Sequence, residues 1–109
     1  MSPAPSDVGD LIQRLSSGTR SVRCIAAMDL AQLGGEQALA ALLAHLPFES
    51  DEKTAILIVR RLAEASYLAG IPVLAKLRDD ISTPIRLFHA AVLAHDRLER
   101  AKAGRQGDS

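Results

Sequence analysis

Between Val22 and Leu46 the chain reads VRCIAAMDLAQLGGEQALAALLAHL, two apolar stripes separated by a glycine pair. Val22, Ala26, Leu30 and Leu33 recur at spacings of four, four and three, which puts them on one face of a helix from about Ser21 to Leu33. Thr19 or Ser21 is placed to cap its start, because a short hydroxyl accepts from N–H groups that lack partners in a first turn. Gly34 and Gly35 end it, since glycine enters the left-handed conformation without a Cβ clash. Leu39, Leu42, Leu43 and Leu46 make the stripe of a second helix beginning near Glu36, and Pro47 stops it.

The pattern returns in Thr54 to Arg78. Leu30 falls on Leu62, Leu39 on Ile71 and Leu42 on Leu74, each 32 residues on, with Ala31 on Ala63 and Ala38 on Gly70. A partial third copy begins at Ile85-Arg86, aligned with Val22-Arg23 at an offset of 63, where Ala27 meets Ala90, Leu30 meets Leu93 and Ala31 meets Ala94. Self-similarity at this period predicts a stacked helical array.

The other elements fit that frame. Residues 1–5 are expected as a disordered lead, and Ser6 or Asp7 can cap a first helix through about Ser16. Ser50 or Asp51 caps the fourth helix after a polar loop from Phe48 to Lys53. That helix is the most apolar: only Lys53, Arg60, Arg61 and Glu64 form a polar stripe, as suits the middle of a stack. Pro72 sits in the first turn of the fifth helix, where its missing N–H costs nothing. Ser82 or Thr83 caps the sixth, with Pro84 at its first position and Leu87, Phe88, Ala91, Val92, Leu93 and Leu98 as its apolar residues. The sixth runs to about Lys102, and 104–109 is expected as a flexible tail.

The run VR-x-x-A-A-x-x-L-A-x-L-G-G-x-x-A-L-x-x-L-L, carried by Val22, Arg23, Ala26, Ala27, Leu30, Leu33, Gly34, Ala38, Leu39 and Leu42, resembles a HEAT repeat of the short, Ala-rich bacterial type found in phycobilisome lyases. The second copy is looser, with Thr54-Ala55 for Val-Arg and Ser66 where Gly34 stands; the third lacks the glycine turn and second helix. The resemblance covers roughly residues 10–100. It implies an all-α fold: six helices in antiparallel pairs, a short right-handed α-solenoid of about two and a half repeats spanning 6–103. It says little about function, because such repeats serve scaffolds, adaptors, lyases and nucleic-acid binders alike.

Composition narrows the classes. At 109 residues, with 48% hydrophobic positions, the chain is one domain and not a disordered segment. Aromatic residues are Phe48, Phe88 and Tyr67 only, so the core is aliphatic. Lys and Arg balance Asp and Glu at 13 each, which gives no global pull toward nucleic acid or anionic membrane. The single cysteine, Cys24, allows no intrachain disulfide. No apolar run is long enough to span a bilayer and the N-terminus lacks signal-peptide character, so a cytoplasmic location is the expectation.

Chemistry-bearing constellations are sparse. His95 and Glu99 share a helix face, but a metal site needs further ligands, and His45 and His89 stand apart; no metal and no cofactor is expected. Cys24 has no histidine near it in sequence and reads as a packing residue. Asp79-Asp80 is a helix end. The basic residues Arg60, Arg61, Arg97, Arg100, Lys102 and Arg105 could grip phosphates, but Glu64, Asp96 and Glu99 are interleaved with them. In arrays of this type the second helices line the concave side. There Gln37, Ala40, Ala41 and Ala44 on one helix and Pro72, Val73 and Lys76 on the next are small or apolar where a solvated face usually carries charge.

These features point to a non-enzymatic protein-interaction module, an adaptor, regulator or small chaperone, that binds a partner helix or peptide on its concave face or associates with itself. The alternatives are a nucleic-acid-binding repeat using Arg60, Arg61, Arg97 and Arg100, and, by family likeness alone, an accessory subunit of a bilin-lyase-like enzyme.

Overall fold

Apolar stripes with glycine and proline stops produce six α-helices among the described residues: α1 (Val8–Arg14), α2 (Arg20–Leu33), α3 (Gly35–His45), α4 (Glu52–Glu64), α5 (Ile71–Asp79) and α6 (Ile85–Gly107). Single 3₁₀ turns, Leu46–Phe48 and Leu68–Gly70, precede α4 and α5, and there is no strand among these residues. The structure, a computed structural model, describes residues 8–107 and the side chains of those up to 104. The expected caps Ser6 and Asp7, the lead at 1–5 and residues 108–109 of the tail lie outside them. Within the described part of that tail the chain is helical, because α6 continues past Lys102 to Gly107.

Helix α4 is central. It packs on α2 and on α6, with α3 against it; α1 and α3 pack on α2, and α5 packs chiefly on α6. The Cα envelope measures 49 × 36 × 15 Å. Its smallest dimension is that of two helix layers, whose axes lie about 8–10 Å apart. Helices α4 and α5, expected as an antiparallel pair, are not among the closely packed helix pairs. The 3₁₀ turn takes that place: a methyl group on Gly70 would lie 3.6 Å from Leu98 Cδ1, 3.7 Å from Leu62 Cδ1 and 3.8 Å from Leu43 Cδ1.

Burial recurs every 32 residues across α2, α4 and α6. Ala27, Val59 and Ala91 are fully buried, as are, within a few per cent, Leu30, Leu62 and Ala94. The second helices follow the same step, with Leu42 and Leu74 fully buried and Ala38 matched by buried Gly70. The third copy is therefore one residue out from the 63-residue match by identity. Leu93, paired by identity with Leu30, is 71% exposed, whereas Leu30 is 0%. One residue turns a helical side chain by about 100°, enough to move it from core to surface.

The helix ends show which local signals act. Gly34 and Gly35 have φ of 66° and 83°, and Ser66, one period after Gly34, has φ of 54°. Around Ser66 the Ser66 N–H donates to the Ala63 carbonyl and the Tyr67 N–H to the Leu62 carbonyl, both at 3.0 Å, a six-residue capping turn that asks for glycine at this position. Asp51 caps α4: its carboxylate accepts from the Thr54 N–H at 3.0 Å and the Thr54 hydroxyl at 2.7 Å. Among the described residues the hydroxyl caps expected for α2 and α6 do not form. Thr19 occupies the N-cap of α2, but its side chain accepts no capping bond, and its own N–H donates to Ser17 Oγ. Thr83 Oγ1 donates instead to the Leu77 carbonyl, and Ser82 Oγ to Asp80. Pro84 precedes α6 and accepts its first bond, from the Phe88 N–H.

A left-handed serine is a removable cost. Ser66→Gly is expected to stabilise the chain by about 0.5–1 kcal/mol after the added freedom of the unfolded state is counted. The melting temperature should then rise by about 2–6 °C. A lower melting temperature would show that the serine side chain, and not the backbone, holds the turn.

Candidate functional site

Two polar clusters link the ends of α2, α3 and α4 and the turn that follows α4. At one end Glu49, whose side chain is 0% exposed, accepts from Arg23 Nε and Nη2 at 3.2 Å, from the Asp51 N–H at 2.8 Å, and shares a 2.7 Å hydrogen bond with His45 Nε2. Arg23 Nη1 also donates to the Ser17 carbonyl at 3.0 Å. One carboxylate thus joins α2, the end of α3 and the start of α4. Burial pushes the Glu49 carboxyl up, but the hydrogen bonds from Arg23, His45 and the Asp51 N–H outweigh it and hold it below its usual value. At the other end the Tyr67 hydroxyl donates to Glu36 at 2.7 Å, which raises the phenol's pKa and links the α4–α5 turn to the start of α3.

With α2, α4 and α6 held side by side, an open groove of about 1010 Å³ runs over α4 between α2 and α6. Ile56 and Leu57 form its apolar floor, Met28 and Gln32 stand on the α2 wall, and Leu93 and His89 on the α6 wall. Met28 is 51% exposed and Leu93 71%, so the apolar strip reaches solvent on both sides. On α4, Lys53, Leu57, Arg60 and Glu64 lie at spacings of four, three and four; on α6, Arg86, Ala90, Leu93 and Arg97 repeat those spacings. The α6 stripe sets Ala90 and Leu93 between its two arginines, and the α4 stripe sets Leu57 between Lys53 and Arg60.

The cations are unevenly paired. Arg61 is held by Glu64 at 3.3 Å. Lys53, Arg60, Arg86 and Arg97 have no ion-pair partner among the described residues. Away from the groove most cations are tied: Arg14 to Asp10, Arg20 to Asp51, Arg23 to Glu49, Arg78 to Asp79 and Arg100 to Asp96. On the groove lining Lys53, Arg60, Arg61, Arg86 and Arg97 outnumber the two carboxylates, Asp29 and Glu64, so this surface is net positive in a chain of zero net charge.

The residues singled out from sequence divide between two surfaces. Arg60, Arg61 and Arg97 come together on the groove. Arg100 does not line it, being bonded to Asp96 at 2.9 Å, and the side chain of Arg105 lies outside the described residues. Gln37, Ala44, Pro72 and Lys76 are exposed, and Ala40, Ala41 and Val73 half-buried, on α3 and α5. None of these seven lines the groove, and α3 and α5 do not pack closely on each other. Lys53 and Arg86 were not expected at a site. The signal that could have found them is the shared four-three-four spacing on α4 and α6.

The remaining chemistry-bearing residues lie apart. Cys24 is half-buried. His95 Nε2 is 3.8 Å from Glu99, and no group of His, Cys, Asp and Glu side chains among the described residues is arranged to hold a metal ion. No helix among them is long and apolar enough to cross a membrane. Comparison with protein-family models, with curated proteins and with solved structures returns no match for the chain.

Proposed function

We propose that this protein is a non-enzymatic interaction module built as a short HEAT-like α-solenoid, and that it docks a partner protein in the groove over α4. The 32-residue recurrence of buried positions, and the left-handed stops at Gly34 and Ser66, support the repeat reading. The observation that carries the docking reading is the apolar strip of Met28, Ile56, Leu57 and Leu93, left open to solvent over α4 between α2 and α6, both of which pack on α4. Open grooves with an apolar floor and a polar rim are how helical folds receive a partner helix or peptide. The α3 and α5 face, favoured on sequence grounds, is the competing surface.

Substitutions at exposed positions separate the two. Arg60→Glu with Leu93→Glu is expected to abolish capture of partners from the source lysate while leaving the circular dichroism and melting curve unchanged. Ala44→Glu with Lys76→Glu should keep capture. The reverse pattern would transfer docking to α3 and α5. Capture that survives both changes would remove the groove as the site.

A further inference from the structure

Resting on the docking reading above, we infer that the groove's occupant is an acidic amphipathic helix of another protein. Its apolar stripe would lie on Ile56, Leu57 and Leu93, and its carboxylates would meet Lys53, Arg60, Arg86 and Arg97. Charge complementarity selects this occupant. These four cations lack ion-pair partners among the described residues in a chain that elsewhere pairs most of its arginines, and with Arg61 they outnumber the lining's carboxylates, Asp29 and Glu64, so the groove is net positive and favours an incoming acidic group. The dimensions agree. Arg86 to Arg97 spans about 16 Å of helix at 1.5 Å per residue, so a partner of about three turns places apolar side chains at i, i+4 and i+7 between flanking acids.

Other occupants fit less well. A nucleic acid would meet an apolar floor of Ile56 and Leu57 with no Phe, Tyr or Trp on the lining to stack on. A second copy of this chain would have to supply an acidic apolar helix face. Its own Asp10, Glu64 and Asp96 are bonded to arginines of their own helices, Glu36 is bonded to Tyr67, Asp29 lines the groove itself, and Glu52 stands singly in the first turn of α4.

A random-peptide display library, selected on the full chain at low salt, tests the inference. Enriched peptides are expected to carry Asp or Glu flanking Leu, Ile, Met or Phe at i, i+4 and i+7. Their binding should weaken by at least about tenfold in Arg60→Gln with Arg86→Gln, and should fall steeply with salt. It should also be lost in Met28→Ser with Leu93→Ser, a change confined to exposed positions. Neutral or basic peptides that still require Met28 and Leu93 would overturn the acidic occupant and leave groove docking standing. Peptides indifferent to both variants, or no enrichment at all, would overturn the inference together with the groove reading. Random duplex DNA that competes for Arg60 and Arg86 would overturn it in favour of a nucleic acid.

Discussion

Glu49→Ala is expected to lower the stability of the folded chain by about 3 kcal/mol, the cost of removing one partner from a buried ion pair. The melting temperature should then fall by about 12 °C or more. The reason is what stays behind. Arg23, whose side chain is 13% exposed, would keep only its bond to the Ser17 carbonyl, and His45 and the Asp51 N–H would lose their acceptor in the same place. A buried donor without a partner bears its full desolvation penalty, whereas removing both partners spares much of it. Arg23→Met in the Glu49→Ala background should therefore recover at least about 1 kcal/mol relative to additivity. A melting temperature within about 3 °C of the parent chain would show that the cluster follows the packing of α2, α3 and α4 and does not hold it.

The same carboxylate sets an acid dependence of defined sign. Its pKa in the folded chain lies below its unfolded value, so its stabilising contribution is complete above the unfolded carboxyl pKa, about 4.3. It is lost as pH falls from there through the lowered folded value. Asp51 acts in the same direction through its bonds from Thr54, though it is held mainly by local capping. Glu49→Gln should flatten the melting-temperature profile below about pH 4.5.

The parts of this fold that were legible in the sequence are those that local spacing decides. The stripe of α4 marks a helix covered on several sides, and Gly34 and Asp51 stand where backbone geometry demands a residue of their kind. Glu49 was not legible: its partner Arg23 lies 26 residues away, and nothing in the sequence from Glu49 to Asp51 distinguishes a buried acid from a solvated one. The groove was half legible. Arg60, Arg61 and Arg97 carry the right charge, but their convergence depends on how α2, α4 and α6 are rotated about their axes, which no single helix encodes. The choice of α3 and α5 as the docking face rested on small side chains alone. Ala40 and Ala41 are half-buried there, and none of those seven residues lines the open groove over α4. Identity misled at the third copy, where matching Leu30 with Leu93 aligned letters while the core aligned Leu30 with Ala94.

That register makes Leu62→Ala and Leu93→Ala opposite in effect, although identity alone would place both leucines in line with Leu30. Leu62 is fully buried where α3, α4, α6 and the Leu68–Gly70 turn meet, its Cδ1 facing the same point as Leu43 and Leu98. Truncating it removes three carbons from a junction that four elements share and that none can enter alone, so a cost of about 3–5 kcal/mol is expected. Leu93 is 71% exposed on the groove wall, and its truncation should change stability by no more than about 0.5 kcal/mol. Gly70 supplies the internal check. With φ of −75° it accepts a side chain without backbone strain, and its added methyl would point at the space that Leu62 vacates. Gly70→Ala in the Leu62→Ala background should thus return about 1 kcal/mol, through refilled volume and a less flexible unfolded chain. Equal losses for the two leucines in thermal or urea unfolding would put α6 back in the 63-residue register. Leu93 would then belong to the core, and the groove would lose the apolar wall on which its docking role depends.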